Sequence, residues 1–324
     1  MFGRLLTNEE EEKTSSLDDD FDDSGLTEIV GGKLTFNDGE NAGSSTEKFR
    51  SWSGISGSSV GSELSPRRAS QRVTFEIVSA KTVTDAKKKY VSYTILVKRA
   101  PGLETQPGVL ERRYSDFLSL FQTLKKRYPS LLADFPFPKK AILGNFTADV
   151  ITERSVAFQH FLAFSYSVRE LRQSLELADF LYTREIQEAH SMMKLGQFED
   201  SSVLLENIYF VQEKILDEGH FSTYYTLCVL VACLNAVDNV TEAQKYAEIA
   251  LTFAAKHERN ELTVPLLVLA VRLWWAVGKD KKGLEKRLYE LKQSGINTDK
   301  QPTLLELVLH RECPLKMQEC PLKK

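Results

Sequence analysis

The sequence predicts a small α+β domain, a three-stranded antiparallel sheet plus helices, followed by an all-α region of stacked helical hairpins and preceded by a disordered tail. Three observations carry this reading. Apolar and polar residues alternate in two runs, Val73, Phe75 and Ile77, then Val91, Tyr93, Ile95 and Val97, which is the period of half-buried strands. The period then switches, so that Phe117, Leu120, Phe121, Leu124 and Tyr128 share one face of a helix. Beyond about Thr183 the strand pattern stops. Short turns at Leu195-Gly196-Gln197-Phe198, Val237-Asp238-Asn239-Val240 and Val277-Gly278-Lys279-Asp280 recur there at spacings of 42 and 40 residues, as in stacked helix–turn–helix units.

Residues 1–70 are rich in Ser, Gly, Asp and Glu and carry no helix-length apolar pattern, so too little surface can be buried to offset chain entropy. An acidic disordered tail is expected. Near its end, Arg67-Arg68-Ala69-Ser70 places a hydroxyl after a pair of arginines, which makes Ser70 a candidate for phosphorylation.

The α+β domain is expected over residues 71–182. Asp85 to Lys89 reads as a polar connection between the first two strands, and a third run covers Val109 to Tyr114. Ser115 is the expected N-cap of the helix that follows. Pro129, Pro136 and Pro138 impose an extended stretch before a second helix, which starts near Thr152 with Val156, Phe158, Phe161 and Leu162 apolar. Residues 183–312 form the helical domain, in which Ala243, Tyr246, Ala247, Ala250 and Leu251 make the clearest packing stripe. Residues 313–324 are a C-terminal tail, and Glu-Cys-Pro-Leu-Lys occurs at both 312–316 and 319–323.

The net charge of −3 conceals a segregation. Residues 1–70 hold 7 Lys+Arg against 14 Asp+Glu, residues 71–180 hold 17 against 11, and residues 181–324 hold 18 against 20. The middle third alone is basic, which favours an anionic partner there. No apolar run is long enough to cross a membrane, and the N-terminus lacks the apolar run of a secretory signal. Any membrane contact is therefore expected to be peripheral. Four cysteines, Cys228, Cys233, Cys313 and Cys320, suit a reducing cytosol, and Cys228 and Cys233 read as core. His310, Cys313 and Cys320 do not complete a zinc set. No nucleophile elbow, Walker A, dinucleotide or HExxH pattern occurs, so no enzyme activity, cofactor or metal is expected. Nucleic acid is disfavoured by the acidic overall balance.

The sharpest signal is Glu111-Arg112-Arg113-Tyr114-Ser115-Asp116-Phe117, where two arginines end a strand and a helix starts at once. Helix N-termini attract phosphate, and arginine adds a planar fork that grips it. Neighbours on a strand face opposite sides, so only one arginine should enter a pocket. Phe135-Pro136-Phe137-Pro138-Lys139-Lys140 then puts two cations on a rigid loop, and Glu153-Arg154 lies at the start of the second helix.

In this order the motifs resemble the PX (phox homology) domain of sorting nexins, over roughly residues 70–182. The resemblance implies a phosphoinositide-binding domain. In it Arg113 would bind the 3-phosphate of phosphatidylinositol 3-phosphate, Tyr114 would pack under the inositol ring, and Arg154 would hydrogen-bond the distal hydroxyls. Lys140 would reach the 1-phosphate, with Lys139 as the competing assignment because the proline loop is shortened. Arg112 and Ser115 are weaker candidates. The helical region is similar to the tetratricopeptide-like domain that follows the PX domain in one small branch of sorting nexins, where it binds protein partners or lipid.

The implied function is a non-enzymatic, cytoplasmic adaptor, peripheral on the cytosolic face of early endosomes, that recruits cargo or protein partners for sorting. The competing reading is a protein scaffold whose PX-like domain has lost or broadened its lipid binding. Ile142, Leu143 and Phe146, in the loop after the lysines, are candidates for membrane insertion, which would add a second anchor to a single headgroup contact.

Overall fold

The computed structural model describes residues 72–85, 88–100, 106–141, 144–298 and 301–310. The acidic tail with Ser70, the pair Ile142 and Leu143, and the duplicated Glu-Cys-Pro-Leu-Lys segments lie outside the described residues.

Strands β1 (Arg72–Asp85), β2 (Lys88–Ala100) and β3 (Gly108–Arg113) form one antiparallel sheet in the order β1-β2-β3. Its alternation buries Phe75, Ile77, Val91, Tyr93, Ile95, Val97 and Leu110 on one face. The stretch expected as a polar connection at Asp85–Lys89 is mostly ladder. Thr84 pairs with Lys89 and Asp85 with Lys88, so the hairpin is tighter than the run of lysines suggests.

Helix α1 (Tyr114–Arg127) follows β3 without a linker and buries Phe117, Leu120 and Leu124. Its N-cap is Arg113, not Ser115. Arg113 is extended (φ −99°, ψ 166°), and its backbone N–H donates to Asp116 Oδ2 at 2.9 Å, so the acidic residue three places on supplies the cap. After the short α2 (Pro129–Leu132) and the proline loop, α3 (Ala148–Ser167) buries Phe158, Phe161 and Leu162. Val156, expected on that face, is 47% exposed. It stands two residues before Phe158, about 200° round the helix. The Phe117 and Phe158 rings stack at 3.9 Å between the two helices.

Two single turns, α4 (Arg169–Arg172) and α5 (Leu175–Ala178), lead through a π-helical turn at Asp179–Thr183 directly into α6 (Arg184–Lys194). Hairpins then stack: α6 with α7 (Phe198–Ile215), α8 (Phe221–Ala236) with α9 (Val240–Ala254), and α10 (Thr263–Ala276) with α11 (Lys282–Gln293). The three turns share one geometry. Gly196, Asp238 and Gly278 are left-handed (φ 78°, 55° and 73°), and the next N–H reaches back to the preceding helix in Gln197→Met192, Asn239→Leu234 and Lys279→Trp274. Helix α8 is buried on every side from Ser222 to Leu234. Helix α12 (Leu304–His310) returns to pack on α8, α10 and α6, burying Leu304 and Val308. At the end of α10, Trp274 is buried while Trp275 is 76% exposed, so only the first of the two tryptophans is core.

The sheet and the helical stack share one hydrophobic core. Helix α7 lies along β3 and β2. The Asn207 amide donates to Val109 O at 2.7 Å and accepts from Val109 N at 2.9 Å, like an added strand residue. Arg99 donates to the carbonyls of Glu213 and Lys214, and the Tyr166 hydroxyl donates to Ile215 O at 2.9 Å.

Candidate functional site: a basic site at one end of the sheet

The start of β2, the end of β3, the first turn of α1, the second turn of α3, and the proline loop converge at one end of the sheet. Register explains part of this, because Arg113 pairs with Ser92 and therefore ends β3 two residues from Tyr90. Strand parity separates the two arginines. Arg113 is exposed, with its guanidinium 5.8 Å from the Tyr90 ring centroid and its Nε 3.7 Å from Asp116 Oδ1.

Arg112 turns the other way. It is 4% exposed, pairs with Glu185 at 2.6 Å, and donates through Nε to Phe180 O at 2.9 Å. Arg112, a weaker candidate for the headgroup, is thus not brought to the basic site but fastens β3 to the helical stack.

Tyr114 links the other parts. Its hydroxyl donates to Pro138 O at 3.0 Å, which fixes the loop that carries Lys139 and Lys140, both exposed. Phe137 holds the same loop from below by stacking on Phe121 at 4.4 Å. Against Tyr114 lies Arg154, its guanidinium 4.2 Å from the ring centroid. Arg154 is 4% exposed and donates to Asn145 Oδ1 at 2.8 Å. Among the described residues no carboxylate pairs with it. The Tyr93 hydroxyl is buried beside it without a well-formed hydrogen bond. Burial raises the pKa of that hydroxyl, and Arg154 pulls it the other way.

Gly144 is left-handed (φ 76°), and Thr147 caps the turn by donating to Gly144 O at 3.0 Å, so Asn145 is held in place to receive Arg154. Phe146, 38% exposed, carries Lys89 over its ring at 4.8 Å. Ser115 is exposed on the second residue of α1.

The structure thus brings Tyr114, Arg154 and the loop bearing Lys139 and Lys140 together, with Arg113 on the adjoining residue. Sequence reasoning missed Tyr90, Tyr93, Asn145 and Asp116. Tyr90 and Tyr93 could have been found from strand register, whereas Asn145 depends on a turn that carries no periodic signal. Chemically, the arrangement offers a buried guanidinium against the Tyr114 ring and exposed cations at Arg113, Lys139 and Lys140. Burial pushes the thiols of Cys228 and Cys233 up to about 12 and about 11, and both lie in α8. Among the described residues no group of His, Cys, Asp and Glu could hold a metal ion, and no helix is long and apolar enough to cross a membrane.

Residues 102–184 match the PX domain family, and this span contains Arg113, Tyr114, Lys140 and Arg154. The chain is 34% identical to human sorting nexin-21 over 242 residues, which cover 74% of this chain and 65% of that protein. It is 35% identical to rat sorting nexin-20 over 238 residues, 74% of this chain and 76% of that protein. The X-ray structure of a designed CISK-PX domain aligns with 33% of this chain and 96% of that chain, at 27% identity and a TM-score of 0.29. The chain therefore spans about two thirds of the length of the sorting nexin-21 proteins it resembles and three quarters of rat sorting nexin-20. A PX domain match, with relatives of this identity aligned over about three quarters of the chain, places this chain in the sorting nexin family.

Proposed function

We propose that this chain is a peripheral membrane adaptor that binds phosphatidylinositol 3-phosphate on early endosomes and recruits a protein partner or cargo tail through its helical stack. Arg113 takes the 3-phosphate, and Tyr114 packs under the inositol ring. Lys140, or Lys139 beside it, takes the 1-phosphate, and Arg154 donates to the distal hydroxyls. Phe146, with Ile142 and Leu143 between it and the lysines in sequence, enters the lipid surface. The domain division at 71–182 and 183–312 separates the lipid-reading part from the partner-binding part.

One observation carries the reading, the buried Arg154 against Tyr114. A guanidinium removed from water without a carboxylate is costly, and such a group is retained where a ligand completes its hydrogen bonds. The other cations at that end of the sheet are exposed, as a headgroup at a membrane surface requires. Membership in the sorting nexin family supports an adaptor role in trafficking rather than catalysis. Binding of the full chain to liposomes that each carry a single phosphoinositide tests this, with Arg113→Ala alongside. Selective binding to the 3-phosphate lipid, lost in the variant, is expected. Equal binding by Arg113→Ala overturns the lipid assignment.

A further inference from the structure

Two consecutive residues of the helical stack reach back to the stretch that carries Arg113. Glu185 holds Arg112, the residue before it, in a buried ion pair at 2.6 Å. Arg184 lies 3.4 Å from Oδ1 of Asp116, three residues after it, and 4.0 Å from Asp179. That same Oδ1 is 3.7 Å from Arg113 Nε, while Oδ2 accepts the Arg113 backbone N–H. Asp116 is 17% exposed, so water screens it poorly. Its carboxylate is an internal competitor for the guanidinium that must meet an anion.

We infer that the first turn of α6 belongs to the headgroup site, with Arg184 acting as a positioning residue that draws Asp116 away from Arg113. This role rests on the lipid reading above and extends it to the helix that opens the stack. The two residues divide the work along α6. Glu185 fixes the turn through Arg112, in a largely buried pair. Arg184, 49% exposed, supplies a second cation to a carboxylate that would otherwise belong to Arg113 alone. With Arg184 present, the Asp116 carboxylate caps α1 and is shared between two guanidinia, leaving Arg113 able to turn outward. Without it, Asp116 and Arg113 close on each other, and an incoming phosphate must break that pair. Affinity for an anionic headgroup therefore depends on the first residue of α6, where the PX match ends. A ligand that engages Arg184 on the helical stack shifts lipid affinity by the same route.

The test is a double-mutant cycle on the full chain, read as binding to liposomes containing phosphatidylinositol 3-phosphate. Asn at position 116 keeps an oxygen for the α1 cap and removes the charge. Arg184→Gln is expected to weaken binding about two- to five-fold, the size of a partly exposed ion pair. Asp116→Asn is expected to bind at least as well as wild type, and Arg184→Gln added to Asp116→Asn is expected to change nothing further. Arg184→Lys should restore most of the loss. An equal loss from Arg184→Gln in both backgrounds would make Arg184 a direct ligand and overturn the inference. So would loss of binding in Arg113→Ala with no effect of Arg184→Gln, which leaves the lipid reading standing. Wild-type binding by Arg113→Ala overturns both.

Discussion

The guanidinium of Arg154 lies 4.2 Å from the centre of the Tyr114 ring, and the hydroxyl of that ring holds the proline loop through Pro138 O. One aromatic side chain therefore sets the relation between a buried cation on α3 and two exposed lysines on the loop. Burial costs the Arg154 cation hydration, against which stand its bond to Asn145 and its contact with the Tyr114 ring.

Arg154→Met should separate function from stability. Met keeps an unbranched apolar stem that ends near the position of the Arg154 Nε, and removes the charge. Liposome binding is expected to fall at least about tenfold, as for the loss of a charged hydrogen-bond donor. The thermal midpoint is expected to hold or to rise by about a few degrees, since buried charge is often replaceable by apolar volume without cost. Retained lipid binding would remove Arg154 from the site.

Arg112→Ala tests the clamp between the sheet and the stack. The substitution leaves Glu185 poorly solvated at 13% exposure, with one carboxylate oxygen already buried and unpartnered. Breaking such a pair costs about 3 kcal/mol or more. Urea unfolding should show that loss, and Arg112→Met combined with Glu185→Leu should recover much of it. An unchanged midpoint in the single variant would show that the pair does not bear on stability.

Much of this arrangement was legible in the sequence, for physical reasons. The alternation through Val91, Tyr93, Ile95 and Val97 and the Phe117, Leu120, Leu124 stripe are periodic signals that burial imposes, and those residues are buried. Gly196 and Gly278 sit at left-handed turn positions where glycine has no steric penalty. Parity also separated Arg112 from Arg113, but it could not say which side held a partner, because Glu185 lies 73 residues on and belongs to another element. The burial of Arg154, its bond to Asn145 and the return of α12 onto α8 are long-range or aperiodic, and no local pattern encodes them.

His190 offers a pH test of the helical stack. It is 6% exposed on α6, stacks on Tyr225, and shares a 2.6 Å hydrogen bond with the Tyr225 hydroxyl through Nε2. Burial first, and Lys194 second, lower its pKa to about 4 from an ordinary 6.5. The unfolded chain therefore takes up a proton between pH 6.5 and 4 that the folded chain refuses. Stability conferred by neutral His190 is present in full above pH 6.5 and is lost as the pH falls towards 4, by about 3 kcal/mol over the whole window. Urea unfolding measured at intervals from pH 7 to pH 4 should show this slope. His190→Gln, which cannot titrate, should flatten it by about that amount, and an identical slope in the variant would rule out His190 as its source.

Gly108 opens β3 at the point where α7 crosses it, and it makes the most specific prediction about the junction. A Cβ added there would lie 2.6 Å from Val211 Cγ2, and 2.9 Å from both Val211 Cα and N. The methyl of Val211 could rotate aside, but its backbone atoms belong to α7 and can yield only if the helix moves. Any such movement strains the Asn207 bonds to Val109 and the packing of Leu110, on the strand that ends in Arg113. Gly108→Ala is therefore expected to cost about 1–3 kcal/mol, as overpacking a filled core does. Gly283, in the first turn of α11, is the matching control, because a Cβ added there would meet nothing within 4 Å. Gly283→Ala should be neutral or stabilise by up to about 1 kcal/mol through lost unfolded-state entropy. Chemical unfolding of the two variants side by side distinguishes contact from propensity. A cost at Gly108 no larger than the change at Gly283 would mean that α7 does not press on β3.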